Sequence, residues 1–81
     1  MNDGQSNEYF ETLEKLLTAS LEEVRENLSL QDYTDIKEYI DHDEYGIGWE
    51  LLWHLVHKQQ LPVSSGLVEC GHKMGFDTST P

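Results

Sequence analysis

At 81 residues the chain is long enough for one domain, residues 1–81 with loose ends over 1–5 and 77–81, whose thin core leaves little room for a deep substrate cavity. Sixteen acids against five Lys plus Arg give a net charge of −11, a field that repels nucleic acid and anionic membranes and steers in a basic partner. A single cysteine, Cys70, excludes an internal disulfide, and an acidic start with no apolar run near the roughly 20 residues of a membrane span predicts a cytoplasmic protein.

The first helix is predicted from Ser6, a plausible N-cap, through the apolar line Phe10, Leu13, Leu17, Leu21, Val24 and Leu28, which steps by three and four. Ser20-Leu-Glu-Glu23 could cap a second helix and break the first near Ala19. The absence of Gly or Pro there favours a single long helix. Ser29-Leu-Gln-Asp32 starts the second helix, with Tyr33, Ile36, Tyr39 and Ile40 as its buried stripe and an end near Asp41-His42.

The third helix is expected from about Glu44 to His57. Its two apolar lines, Leu52–Leu55 and Trp49–Trp53–Val56, make an arc wide enough to be covered on two sides, at the centre of the domain. Gly46 and Gly48 would each cost about 1 kcal/mol in a helix interior, so close approach of a neighbouring backbone is expected at both. Pro62 ends this helix. Ser64 or Ser65 starts a short fourth one carrying Leu67, Val68, Cys70 and Met74, with Gly75 as its stop and Phe76 folding back on the core. The fold class is all-α, a compact bundle of four or five helices.

Candidate chemistry is sparse. His54 and His57, three apart with Glu50 one turn earlier, share a helix face. They lack the His-Glu-x-x-His spacing of zinc proteases and read more simply as a solvated edge. Asp41 to Gly46 opens like a calcium loop, but the twelfth position is Leu52 where a bidentate Glu is required. Cys70 and His72 point to different sides of a helix, so no nucleophilic pair forms and Cys70 is expected to be half-buried. No phosphate-cradling glycine loop or nucleophile elbow is present. The expectation is therefore a binding protein and not an enzyme, with no catalytic residue, cofactor or metal.

All the excess charge lies in residues 1–50, which hold 14 acids and only Lys15, Arg25 and Lys37 as bases. That charge either keeps a small protein soluble or marks a binding face. Its densest stretch interleaves acids with rings, a composition that suits an interface meeting Arg or Lys. The candidate partner-binding residues are Asp35, Glu38, Tyr39, Asp41, Asp43, Glu44, Tyr45 and Glu50, with Tyr39 equally explicable as core and the neighbouring Trp49 better explained as core.

The run Tyr39-Ile-Asp-His-Asp-Glu-Tyr-Gly46, followed by Trp49-Glu-Leu-Leu52, resembles the core of the MafI-type and CdiI-type immunity proteins. In those, a helix ends in an acidic turn and an apolar helix follows Glu-Tyr-Gly. Leu61-Pro62-Val63 and Met74-Gly75-Phe76 match the family's linker and final helix end, so the resemblance covers about residues 30–76 and leaves the first helix outside it. Gly48, where the family has Ala, and the two tryptophans depart from the pattern. The resemblance implies an antitoxin of a contact-dependent or polymorphic secreted toxin, often an EndoU-type RNase. Such a monomer would form a one-to-one complex with its cognate toxin and occlude the basic nuclease cleft. The rival readings are a nucleic-acid mimic, which calls for evenly spaced carboxylates along a long face, a metal-dependent enzyme using Glu50, His54 and His57, which calls for stoichiometric zinc, and an acidic helical adaptor with a large apolar patch.

Overall fold

Four helices, α1 (Asn2–Glu23), α2 (Leu30–Asp41), α3 (Tyr45–Lys58) and α4 (Ser65–Lys73), and a 3₁₀ turn over Arg25–Asn27 make up the chain, with no strand among the described residues. The structure is a computed structural model that describes the backbone of residues 2–79 and the side chains of residues 8–79. The bundle expected from the periodicity is thus the fold observed. α1 packs most extensively on α4, and α2 on α3.

Leu13, Leu17 and Leu21 of α1 are buried at successive turns. The helix begins at Asn2, so the expected loose start and the Ser6 cap give way to an earlier helix start. It ends at Glu23, short of the expected Leu28 and beyond the alternative break at Ala19. Ser20 cannot cap a second helix because its hydroxyl is already used. It donates to the Leu16 carbonyl (2.8 Å) and lies 3.1 Å from the Ser64 hydroxyl, pinning α1 to the start of α4. Past Glu23 the chain turns, with Val24 buried and Leu28 extended. This return lets Tyr33 of α2 donate to Glu22 (2.6 Å) while the Arg25 guanidinium lies over the Tyr33 ring. Phe10, expected on the buried stripe, is 50% exposed.

Ser29 and Ser64 cap α2 and α4, accepting from the amides of Asp32 and Leu67 at 3.0 Å each. α3 is central as its wide apolar arc predicts, burying Tyr45, Trp49, Leu52, Trp53, Leu55 and Val56. It starts within Glu44-Tyr45-Gly46, one residue after the expected Glu44. At Gly48 the expected close approach is present: a Cβ there would lie 3.2 Å from Tyr39 Cβ and 3.8 Å from the Ile36 carbonyl oxygen, so α2 sits tight against it. Gly46 faces a side chain instead of a backbone, the Phe76 ring at 3.5 Å. Phe76 folds back as expected and stacks on Trp49 (4.8 Å, 3°). Cys70 is fully buried, not half-buried, because α4 turns it toward Leu13 of α1.

Three helices stop in the same way. After α2, α3 and α4 one residue turns left-handed (Asp43 φ 62°, Gln60 φ 57°, Gly75 φ 82°). The next amide then reaches back to a carbonyl five residues earlier: Glu44 to Tyr39 (2.8 Å), Leu61 to Val56 (2.8 Å) and Phe76 to Gly71 (2.9 Å). Glycine adopts that conformation freely, and only the last position has one. Among the described residues no helix is long and apolar enough to cross a membrane.

Candidate functional site

The left-handed Asp43 creates the molecule's acidic corner. A side chain other than glycine or Asn pays about 1–2 kcal/mol for this conformation, and Asp is among the least averse. With Asp43 turned this way, its carboxylate and that of Glu44 serve two different hollows on either side of the α2–α3 turn.

The first is a cleft of 140 Å³ lined by Asp35, Glu38, Tyr39, His42 and Glu44. Four of the candidate residues thus meet in one place. Asp35 is oriented by Gln31, whose side-chain amide donates to it (2.8 Å). His42 is held by its Nδ1–H, which donates to the Glu38 carbonyl (2.8 Å). Tyr39 is half-buried, since its Cβ packs on Gly48, and so serves the core and the cleft together.

The second hollow, a groove of 330 Å³, runs between α1 and the turn and is lined by Phe10, Glu11, Glu14, Asp43 and Tyr45. Tyr45 is chiefly a core residue, 7% exposed, whose hydroxyl donates to Asp43 Oδ1 (3.0 Å). Burial first, and then the Asp43 carboxylate, push its phenol up to about 12. Phe10 stacks on Tyr45 with centroids 6.2 Å apart. Phe10, Glu11 and Glu14 were absent from the sequence-derived set. Their i, i+1, i+4 spacing shows that they share a helix face, but nothing local to α1 shows that this face meets Asp43. Beside the groove, Glu11, Glu14, Lys15, Thr18 and Ala19 bound a wider hollow of 580 Å³. All five come from α1, so it is an open helix surface and not a pocket.

The other two candidates stand apart. Asp41 lines neither hollow and pairs with Lys37 (3.0 Å), an exposed contact that raises the Lys37 ammonium above its usual range. Glu50 lies on the exposed side of α3. Ion pairs among the described residues join Arg25 to Glu22, Lys37 to Asp41 and Lys73 to Glu69. None of them involves the carboxylates lining the cleft or the groove.

Of the edge Glu50–His54–His57, His57 is committed elsewhere: its Nδ1–H donates to the Trp53 carbonyl (2.9 Å) and its ring lies 4.3 Å from that of Trp53. Among the described residues no group of three or more His, Cys, Asp and Glu is placed to hold a metal ion. Burial pushes the Cys70 thiol up to about 11, the opposite of what a nucleophilic thiolate needs.

Compared with family models, with curated proteins and with solved structures, the chain matches none.

Proposed function

We propose that the protein is an immunity protein that binds a cognate secreted nuclease toxin and neutralises it by covering the toxin's basic, RNA-binding cleft. The observation that carries this reading is the corner at the α2–α3 turn. There the carboxylates of Asp35, Glu38, Asp43 and Glu44 are gathered around tyrosine and phenylalanine rings, and no ion pair among the described residues engages them. A nuclease must attract phosphates, so its cleft is positive, and an acidic surface with aromatic contact area complements it in charge and supplies desolvated anchors. The resemblance of residues 39–52 to the MafI-type core supports the same reading, because the matching run is the turn that builds this corner. A nucleic-acid mimic fits less well: the carboxylates that line the two hollows are interleaved with rings, not spaced evenly along a face.

The test is co-purification with the product of the neighbouring reading frame, joined to an RNA-cleavage assay. A one-to-one complex that stops cleavage is expected. Reversal of Asp43 and Glu44 to Lys should weaken it and flatten its salt dependence, while reversal of Asp41, already paired with Lys37, should do less. A neighbour without nuclease activity, or one that binds and keeps cutting, overturns the proposal.

A further inference from the structure

The groove between α1 and the α2–α3 turn has a chemistry more specific than negative charge. Its aromatic wall is Phe10, half exposed, stacked on Tyr45 and paired with Tyr9 in a T-shaped contact at 5.3 Å and 65°. The ledge is hydrogen-bonded at both ends. The Tyr9 hydroxyl donates to the Lys73 carbonyl at the end of α4 (2.8 Å), and the Tyr45 hydroxyl donates to Asp43 (3.0 Å). Glu11, Glu14 and Asp43, all exposed, supply the charged rim.

An aromatic surface beside carboxylates favours a planar cation over a compact one. A guanidinium stacks on the ring and donates to carboxylates in a fork, whereas an ammonium is a strongly hydrated point charge. The same fold contains this constellation with its arginine in place. Arg25 lies over the Tyr33 ring, 4.5 Å from its centroid, and its Nη1 is 3.4 Å from Glu22. At 330 Å³ the groove lies at the lower end of ligand-pocket sizes, about 300–1,000 Å³, a scale suited to a side chain more than to a folded element.

We propose that this groove is an arginine socket, taking an exposed arginine of the protein partner between the Phe10 ring and the carboxylates of Glu11, Glu14 and Asp43. The proposal deepens the binding function proposed above and rests on it for the partner's identity. The preference for arginine is a property of the groove itself. Of the basic side chains arginine uses ring and rim together best, stacking flat while its forked donors reach the carboxylates, and a ledge held by two hydroxyl bonds lowers the ordering cost of doing so.

The experiment titrates the ¹⁵N-labelled protein with the peptide acetyl-Gly-Arg-Gly-Arg-Gly-amide and with its lysine counterpart of equal charge, followed by amide shifts. The expected result is shifts centred on Phe10, Glu11, Glu14, Asp43 and Tyr45, and binding of the arginine peptide about threefold or more tighter than the lysine one. Phe10→Ala, at a half-exposed position the core does not need, should weaken the arginine peptide by about three- to tenfold. Leu30→Ala, at an 80% exposed residue outside the groove, should change nothing. Equal binding of the two peptides, shifts spread over the whole acidic half, or indifference to Phe10→Ala overturns the socket. The same variant in the cleavage assay separates the two proposals. Full inhibition by Phe10→Ala removes the socket and leaves immunity standing, whereas arginine-selective binding by a protein that inhibits no nuclease does the reverse.

Discussion

Replacing Gly71 with alanine should destabilise the protein, although in an α-helix interior that change ordinarily stabilises by about 1 kcal/mol. A Cβ at this position would lie 2.4 Å from Trp49 Cζ2, 2.7 Å from Trp49 Cε2 and 3.0 Å from Thr78 Cγ2. Carbon atoms rest about 3.5–4.0 Å apart, so the indole would have to retreat by about 1 Å. It has nowhere to go. Its Nε1 donates to the Leu67 carbonyl (2.8 Å), and it is sandwiched between Trp53 (4.8 Å, 17°) and Phe76 (4.8 Å, 3°). Overpacking costs about 1–3 kcal/mol, and loss of the buried indole bond draws on the same order. Set against the helix-propensity gain, the net loss is about 2 kcal/mol, or a Tm lower by about 8–16 °C in a domain of this size. Urea unfolding followed by tryptophan fluorescence measures it. Gly66→Ala is the control, because its Cβ would meet Leu16 Cδ2 and Ser20 Oγ at an ordinary 3.6 Å and should leave stability equal or slightly higher. A Gly71→Ala protein as stable as the parent would refute the packing at the centre of the bundle.

Two further perturbations probe other levels of the structure. Ser29 caps α2 at an exposed site, whereas the Ser64 hydroxyl both caps α4 and meets Ser20 across the α1–α4 contact (3.1 Å). Ser29→Ala should therefore cost about 1 kcal/mol and Ser64→Ala about 2 kcal/mol in the same unfolding assay, and equal losses would deny the cross-helix role. Stability should also fall at alkaline pH. Cys70 and Tyr45 are raised, chiefly by burial, from 9.0 to about 11 and from 10.0 to about 12, so the fold favours their neutral forms. The stability each contributes is complete below its unfolded value and is lost as pH climbs through its folded one. The urea midpoint should hold up to pH 9 and decline between pH 9 and 12, with Cys70→Ala delaying the onset toward pH 10. A midpoint unchanged at pH 11 would contradict the burial of both groups.

The helices and most of their boundaries were legible in the residues because each depends on near neighbours. The step of four through Leu13, Leu17 and Leu21, the hydroxyls of Ser29 and Ser64 placed before free amides, and Gly75 at a left-handed stop all act within one or two turns. The acidic corner was legible in part for the same reason. Asp35, Glu38, Tyr39 and Glu44 sit on one helix and its turn, so their spacing already puts them together. What the helical period cannot state is which neighbour covers each level of an apolar face. That decided that α1 runs on past Ala19, since Ser20 donates to Leu16 and meets Ser64, 44 positions away, instead of capping a new helix. It decided that Phe10, on the same stripe as Leu13, lies half in solvent, with Tyr9 and Tyr45 as its ring neighbours. It decided that Gly71 must be glycine, because the indole filling its space belongs to α3. And it brought Glu11 and Glu14 to Asp43, closing a groove whose walls are some 30 residues apart in the chain and adjacent only once α1 has packed across the bundle.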